Sequence, residues 1–338
     1  MIKIAVIGLG KMGLSHVAIL GAHKNVDLVA VCDTSSIVLK AFKHYSPHIR
    51  TYDDFNKLYE NEDLDAVVIA TPTKLHHKMA MPAIEKGINV FCEKPLGLTV
   101  AESEELSDMA GKFNVINQVG YHNHFIGTFR EMKRLLKNEI IGKPLHFTGE
   151  AYGPVVVKEK GGTWRSKSTE GGGCLFDYAS HVLNLIQEVI ARPVNVKGTL
   201  LKKFYSKEVN DGVFSSIILE NGLSGTLSVN WSDETYRKMS TSIMVFGSKG
   251  KIICDATEIK IYLKEDCKKE NLVKGWNIKY ITELLLPVDF YLRGEEYSAQ
   301  LDYFINNVIN KTSGEINTFE QALYTDKVIE MLNEDGKK

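Results

Sequence analysis

The chain starts with a short apolar segment that runs directly into a glycine-rich turn. Residues 2–7 are almost all apolar and mostly β-branched, which is typical of a strand buried on both faces. The motif Gly8-x-Gly10-x-x-Gly13 follows at once. Its glycines allow, in turn, a tight bend, close approach of a ligand to the backbone, and close packing of the next helix on the strand. This region therefore predicts a strand, a turn and a helix of an open parallel α/β sheet.

A second strand-like segment supplies an acid at the distance that dinucleotide-binding folds use. Residues 28–32 are apolar and end at Asp33, about twenty residues after the last glycine. A carboxylate there accepts hydrogen bonds from the adenosine ribose and repels a 2′-phosphate, so NAD is favoured over NADP. Lys40 and Lys43 leave NADP as the less favoured cofactor. The predicted dinucleotide contacts in this region are Gly8, Gly10, Lys11, Met12, Gly13 and Asp33.

Length and charge define the broad class of protein. At 338 residues the chain is longer than one typical hydrophobic core, which predicts two domains. The formal net charge is −1, so no attraction to nucleic acid or to an anionic membrane is expected. The sequence enters a strand at its first residues and contains no apolar run long enough to span a bilayer. We therefore expect a cytoplasmic protein without nucleic-acid or membrane partners.

The cysteines indicate reduced thiols. Their number is odd, their positions are scattered, and no pair has C-x-x-C spacing. This pattern favours neither a disulfide framework nor a zinc site. The five residues are Cys32, Cys92, Cys174, Cys254 and Cys267.

The pattern of predicted elements changes near residue 121. Before it, strand-like and helix-like segments alternate, which predicts βαβ units on a parallel sheet. After it, strand-like segments recur, with turn signals such as Asn221-Gly222 between them. We predict a dinucleotide-binding domain over residues 1–121 and an α+β domain with a mostly antiparallel sheet over residues 122–338. The last helices are expected to cover the second sheet or to pack back on the first domain.

The triplet Glu93-Lys94-Pro95 occupies a position where such folds bind their ligands. It follows the apolar segment 88–92, and ligands of open parallel sheets bind outside the carboxyl ends of the strands. A lysine at such an end is able to hold a substrate oxygen. Thr71-Pro72 ends another predicted strand over residues 65–70, so both turns are expected at the same edge of the sheet.

The second domain contains a candidate acid/base pair. Asp177 and His181 follow the glycines at residues 171–173 and are four residues apart, so on a helix they share one face. Imidazole titrates near neutrality and takes a hydroxyl proton readily, and a nearby carboxylate orients the ring. The alternative is that His181 packs or caps the helix and that Asp177 is only its N-terminal acid. The spacing alone leaves both interpretations open.

Two histidine pairs raise the question of a metal site. His76 and His77 are adjacent, and His122 and His124 are two residues apart. No carboxylate or cysteine joins either pair at ligand spacing, so no metal is predicted. We expect His76 on a helix near the nicotinamide and His77 on the solvent side of that helix.

A basic loop precedes the glycine run of the second domain. Arg165 lies there with Lys158, Lys160 and Lys167. These cations are candidates for binding a phosphate or carboxylate on the substrate. A solvated basic loop explains the same residues at least equally well.

Together these motifs resemble the Gfo/Idh/MocA family of sugar and polyol oxidoreductases over nearly the whole chain. The segments that carry the resemblance are Gly8-x-Gly10-x-x-Gly13, Thr71-Pro72, Glu93-Lys94-Pro95, Trp164-Arg165, and Gly171 to Gly173 with Asp177 and His181. The resemblance implies a Rossmann domain followed by an open-faced sheet with helices on one face. It also implies a homodimer or homotetramer formed through that sheet.

The resemblance further implies roles for individual residues. Lys94 would hold and polarise the reacting hydroxyl, His181 would act as general base, and Asp177 would orient substrate and imidazole. Glu93 would position Lys94, and Pro95 would follow a cis peptide bond. The implied cofactor contacts also include Thr71, Pro72, His76, Glu93 and Lys94. The implied substrate contacts are Lys94, His122, His124, Trp164, Arg165, Asp177 and His181.

Three functional classes are compatible with these residues. The favoured one is an NAD-dependent dehydrogenase of a sugar, an amino or nucleotide sugar, or a cyclic polyol. An NAD-dependent glycosidase with a recycled cofactor and a non-catalytic sensor or corepressor are the alternatives. The joint presence of Lys94, Asp177 and His181 favours an enzyme over a sensor. Asn184 stands where many relatives have an acid, so the substrate itself is not defined.

Overall fold

The computed structural model describes residues 1–157 and 164–338, and these form two compact units. The first unit contains Met1–His122 and Pro287–Leu323, and the second contains Asn123–Leu286 and Tyr324–Lys338. The strands are β1 Ile2–Ile7, β2 Val26–Cys32, β3 Arg50–Tyr52, β4 Ala66–Ile69, β5 Asn89–Cys92, β6 Asn117–Val119, β7 Pro144–Tyr152, β8 Pro193–Lys202, β9 Gly212–Leu219, β10 Ser224–Asn230, β11 Ser240–Gly247, β12 Gly250–Asp255, β13 Glu258–Leu263 and β14 Gly275–Tyr280. The α-helices are α1 Lys11–Ala22, α2 Ser36–Tyr45, α3 Phe55–Asn61, α4 His76–Glu85, α5 Val100–Lys112, α6 Gly127–Lys137, α7 Ser180–Val189, α8 Glu295–Asn310 and α9 Phe319–Asp335.

The first unit is built on a six-stranded parallel sheet in the order β3-β2-β1-β4-β5-β6. Alternate residues of β1 enter two different apolar clusters: Ala5 and Ile7 belong to one, and Ile4 and Val6 to the other. A sheet that is apolar on both faces must be covered by helices on both faces. The predicted Rossmann architecture of this part of the chain is confirmed.

Local sequence signals define several helix ends in the first unit. Thr99 accepts a hydrogen bond from the backbone of Glu102, whose side chain bonds back, so a capping box starts α5. Pro82 lies inside α4, and Gly87 follows that helix with a φ of +73°, as a C-terminal glycine commonly does. These local signals account for where α5 begins and where α4 ends.

The C-terminal part of the chain contributes to both units. Residues 287–323 belong to the first unit, whereas the predicted second domain extended over all of residues 122–338. The physical reason is burial: Leu301, Phe304 and Ile305 of α8 are fully buried in the cluster that contains Ile4.

The second unit is built on an eight-stranded sheet in the order β14-β13-β12-β11-β7-β10-β9-β8. Neighbouring strands are antiparallel except for β7 and β10, which pair in parallel. Gly149 of β7 lets α7 approach, because a Cβ there would lie 2.7 Å from Ile186 and 3.1 Å from Val182. The predicted mostly antiparallel second sheet is confirmed.

Among residues 1–157 and 164–338, no helix has both the length and the apolarity required to cross a membrane.

Candidate functional site

The glycine turn lies between β1 and α1, and each glycine meets a different steric demand. Gly8 has a φ of +93°, and a Cβ there would lie 2.7 Å from the backbone oxygen of Ala70. A Cβ on Gly13 would fall only 2.8 Å from the carbonyl carbon of Gly8 and closer still to its oxygen. Gly10 is the N-cap of α1, and a Cβ there would meet nothing within 4 Å. The turn is thus compact on the protein side and open at Gly10, which fits the approach of a pyrophosphate to a helix N-terminus.

Asp33 connects the glycine turn to the loop after β2. Its Oδ2 accepts a hydrogen bond from the Leu9 amide at 2.6 Å, and its Oδ1 accepts one from the Ser35 amide at 2.8 Å. Each carboxylate oxygen can accept more than one hydrogen bond, so these contacts leave capacity for ribose hydroxyls. The two amides fix the carboxylate beside the turn, where its charge opposes a 2′-phosphate.

Replacement of Asp33 by asparagine is expected to weaken NAD binding and to reduce the preference for NAD over NADP. A hydrogen bond to a charged group contributes about 1.5–3 kcal/mol, so NAD affinity should fall about 10- to 100-fold. Titration calorimetry with both cofactors measures the change. The control is Asp27→Asn, which alters an exposed acid of β2. An unchanged ratio of the two affinities in Asp33→Asn would contradict the assignment.

The Glu93-Lys94-Pro95 turn directly follows β5. It is contacted by His76, the first residue of α4. The predicted cis peptide bond between Lys94 and Pro95 is confirmed. His76 is fully buried, with Nδ1 2.9 Å from the Pro95 oxygen and Nε2 3.0 Å from the Thr71 oxygen. His76 therefore connects the turn to the Thr71-Pro72 segment after β4. The roles of these residues toward the cofactor remain predictions.

Glu93 is a buried acid with a partner that the sequence analysis did not identify. Its Oε1 lies 2.7 Å from Nε2 of His16, a fully buried residue of α1. Burial raises the pKa of the Glu93 carboxyl, but the hydrogen bond from His16 and nearby positive charge outweigh burial and lower the pKa below its usual range. The available signal was a histidine three residues after Gly13, on a helix face otherwise rich in apolar residues.

A second group missed by the sequence analysis surrounds His122. The His122 ring stacks on Tyr297 of α8, with ring centres 4.6 Å apart and planes 22° apart. The guanidinium of Arg293 lies 5.3 Å from the centre of the same tyrosine ring. Burial raises the pKa of Tyr297 to about 12, so its hydroxyl stays protonated at neutral pH. The sequence placed Tyr297 at the start of a helix but gave no reason to pair it with His122.

In the second unit, Asp177 and His181 lie on consecutive helical segments. Leu175–Ala179 forms a π-helical turn, and α7 continues from Ser180. Such turns are rare and are frequent at functional sites. Both Asp177 and His181 are buried. The preceding Gly173 has a φ of +104°, which a residue with a side chain rarely adopts.

Arg165 pairs with Asp177. Its Nε donates to Asp177 Oδ2 at 3.1 Å, and its side chain is about half exposed, at 46%. Trp164 begins the short 3₁₀ helix Trp164–Ser166, and Lys167 lies 3.5 Å from Glu170. Lys158 and Lys160, which were expected to join this basic group, lie outside the described residues. The pair with Asp177 thus gives Arg165 a structural role in addition to its predicted contact with the substrate.

Asn184 is a buried residue of α7, and His124 is buried beside that helix. His124 Nδ1 lies 3.8 Å from Glu188, which also pairs with Lys133. Asn184 donates to the Thr325 hydroxyl at 3.2 Å. Burial lowers the pKa of His124, which favours its neutral form. The structure therefore gives His124 a packing environment within the second unit, and its contact with substrate remains a prediction.

The histidine pairs do not extend to larger ligand sets. His77 lies 2.8 Å from Glu105, and His76 contacts backbone oxygens. Within residues 1–157 and 164–338, no cluster of three or more histidine, cysteine, aspartate or glutamate side chains has the geometry to hold a metal ion.

The glycine turn, the acid after β2 and the lysine turn after β5 define an NAD-binding Rossmann protein, and comparisons identify its family. Residues 2–121 match the model of the Gfo/Idh/MocA oxidoreductase family, described as an NAD-binding Rossmann fold, and residues 129–253 match the C-terminal domain of that family. The chain therefore belongs to the Gfo/Idh/MocA family, and it is an NAD-dependent oxidoreductase.

Named relatives and solved structures extend over most of the chain. It is 26% identical over 344 residues to a myo-inositol 2-dehydrogenase of Thermotoga maritima, which covers 99% of this chain and 92% of the relative. It is 25% identical over 235 residues to an NAD-dependent scyllo-inositol 2-dehydrogenase of Bacillus subtilis, covering 68% of this chain and 67% of the relative. A levoglucosan dehydrogenase solved with NADH has the same fold, with a TM-score of 0.88 at 19% identity over 99% of this chain and 97% of that one.

Proposed function

We propose that the protein transfers a hydride between a ring secondary alcohol and the nicotinamide of NAD. The alcohol would belong to a sugar, an amino or nucleotide sugar, or a cyclic polyol. The observation that carries this proposal is Lys94, held directly after β5 in the unit that contains the glycine turn and Asp33. The two inositol dehydrogenases among the relatives support the choice of a polyol or sugar ring as substrate.

The residues divide the chemistry between them. Bound NAD would accept or supply the hydride, and the protein would control binding and proton movement. The ammonium of Lys94 would donate a hydrogen bond to the reacting oxygen and stabilise the negative charge that develops on it. His181 would accept the hydroxyl proton at a ring nitrogen, or return it in the reduction direction. Asp177, fixed by Arg165, would orient the substrate and the imidazole.

The test is formation of NADH at 340 nm by protein stripped of bound cofactor, with NADP in parallel. The substrate panel contains inositols, hexoses, amino sugars, and UDP-sugars paired with their free sugars. Turnover with NAD and one class of ring alcohols would establish the dehydrogenase. A preference for UDP-sugars over the free sugars would support a phosphate contact by Arg165.

Silence across this panel, despite measured NAD binding, would contradict the proposal. Product analysis without NADH detection would then separate the two alternatives. Cleavage of glycosides would indicate a cofactor that is oxidised and reduced within one cycle. The absence of any product would favour a sensor.

We further propose a homodimer or homotetramer that forms through the open face of the second sheet. Tyr262 and Trp276 are cross-strand neighbours on this face, with ring centres 5.4 Å apart, and both side chains are exposed. Exposed aromatic side chains of this size favour a protein contact.

We also propose a cytoplasmic location, because the cysteines of the protein are free thiols and cytosolic conditions keep thiols reduced. Fractionation of cells tests this location.

Replacing Trp276 by lysine is expected to shift the assembly toward smaller species. A charge placed in an apolar interface loses its hydration without gaining a partner. Sedimentation velocity at several concentrations measures the shift, and Phe113→Lys, a change of an exposed aromatic residue in the first unit, is the control. A distribution identical to that of the wild type would contradict the proposed face.

A further inference from the structure

Lys94 stands between two residues that are each bound to a buried histidine. Glu93 precedes it and pairs with His16, and Pro95 follows it and contacts His76. All of these residues belong to the first unit. The two histidines come from different helices, α1 and α4.

The contact on the Glu93 side is a charge-assisted hydrogen bond. The carboxylate can only accept, so Nε2 of His16 carries the proton that it donates across 2.7 Å. The His16 ring also meets Phe91 of β5 edge to face, with ring centres 5.4 Å apart. A Cβ on Gly120 would lie 3.1 Å from the Glu93 carboxylate, so this glycine leaves the space that the carboxylate occupies. The orientation of Glu93 is thereby fixed by the hydrogen bond from His16, whose own ring packs against Phe91.

The contact on the Pro95 side joins two strand ends. Nδ1 of His76 lies 2.9 Å from the Pro95 oxygen, and Nε2 lies 3.0 Å from the Thr71 oxygen. The ring therefore bridges the turn after β4 and the turn after β5. Burial lowers the pKa of His76, which favours the neutral ring. A neutral imidazole donates from one nitrogen only, so it makes a hydrogen bond to either the Pro95 oxygen or the Thr71 oxygen, and only the protonated ring donates to both. The ring has no exposed surface, which leaves it a single well-packed orientation.

We propose that His16 and His76 are positioning residues that hold the backbone on both sides of Lys94. The proposal rests on the proposed function, in which Lys94 contacts the reacting oxygen. A lysine side chain has several rotatable bonds, so its ammonium is placed accurately only if the backbone that carries it is fixed. A displacement of about 1 Å at a reacting group costs on the order of 10²-fold in rate. Contacts on both residues that flank Lys94, Glu93 and Pro95, reduce such displacement.

The test compares His16→Leu and His76→Leu with the conservative variants His16→Gln and His76→Gln. The leucine variants are expected to lower kcat about 10- to 100-fold. In His16→Leu, which changes no predicted cofactor contact, the KM for NAD should change less than about threefold. Glutamine retains a donor, so it should restore part of the rate. The matched control is His77→Leu, which changes the neighbouring histidine on α4 and should keep the wild-type kcat.

A double-mutant cycle with Lys94 separates positioning from general stability. If the histidines act through Lys94, each leucine substitution should have no further effect on kcat in a Lys94→Met background. A loss of the same size in both backgrounds would overturn the proposal. Wild-type kcat in both leucine variants would overturn it as well. If a leucine variant does not fold, the glutamine variant of that histidine takes its place in the cycle.

A second measurement distinguishes a failure of the positioning inference from a failure of the proposed function. Reductive ¹³C-methylation labels the lysines, and the NMR signal of Lys94 is assigned by its absence in Lys94→Arg. The signal should shift in the His16 and His76 variants and stay in place in His77→Leu. If the wild type oxidises no substrate but the signal shifts as expected, the function is wrong and the positioning inference stands. An unmoved signal overturns the inference whatever the activity.

Discussion

Replacement of Lys94 by methionine is expected to lower kcat about 10²- to 10³-fold while NAD still binds. Methionine has a similar length but cannot donate a hydrogen bond or carry charge. The ammonium stabilises the oxygen most strongly when negative charge develops on it, so its loss affects the transition state more than the bound substrate. Steady-state kinetics should therefore show a fall in kcat and in kcat/KM of similar size. Calorimetry with NAD alone measures cofactor binding.

The control for this experiment is Lys86→Met. Lys86 is exposed and directly follows α4 in the same unit. Its replacement therefore tests the general effect of removing one positive charge. It should leave kcat within about twofold of the wild type, as expected for surface substitutions of small energetic effect. Equal kinetics for Lys94→Met and the wild type would remove Lys94 from the chemistry and favour a sensor. Loss of NAD affinity in Lys94→Met would instead assign the lysine to cofactor binding.

Features of the first unit that depend on near neighbours in sequence were predicted well. The turn at Gly8 needs a positive φ, and Thr99 with Glu102 forms a capping box within one helical turn. The position of Asp33 follows from the lengths of one helix and two strands. In each case the requirement is satisfied within one turn or within consecutive elements of the chain. The pattern and the spacing of residues in the sequence are therefore sufficient to predict these features.

Features that depend on distant pairs were not predicted. His16 and Glu93 are 77 residues apart, and nothing local in either segment selects the other as partner. The apolar residues of α8 pack in the same buried cluster as Ile4 of β1. Nothing in either segment identifies the other as its packing partner. Arg165 was predicted to bind a phosphate or carboxylate of the substrate or to lie in a solvated loop, and its pairing with Asp177 was not foreseen. Such contacts depend on how elements pack, which periodicity does not specify.

The same distinction explains why the chemistry of the site is better defined than its substrate. The cofactor is held by backbone geometry, which the glycine motif encodes directly. The predicted substrate contacts include side chains such as His122, whose environment includes Tyr297 from a segment about half the length of the chain away. Differences of a few hydrogen bonds there change specificity while the fold stays the same.

Single alanine substitutions in and after the glycine turn should separate folding from cofactor binding. In Gly13→Ala, the new Cβ would overlap the Gly8 carbonyl, and because the obstacle is backbone, the turn itself must move. Overpacking of this kind costs about 1–3 kcal/mol, so both the melting temperature and NAD affinity should fall. In Gly10→Ala, the Cβ meets nothing within 4 Å, so the melting temperature should stay close to that of the wild type. Its NAD affinity should nevertheless fall, because the methyl group occupies the space through which a pyrophosphate approaches the backbone.

Gly21→Ala is the matched control, since Gly21 lies in the same helix and a Cβ there also meets nothing within 4 Å. Alanine is favoured over glycine inside a helix by about 0.5–1 kcal/mol, so this variant should melt slightly higher and bind NAD normally. Thermal unfolding and calorimetry on the three proteins give the comparison. Normal NAD affinity in Gly10→Ala would show that the pyrophosphate does not approach the backbone at Gly10. A wild-type melting temperature in Gly13→Ala would show that the turn has room for the extra methyl group, and the glycine would then serve the ligand rather than the fold.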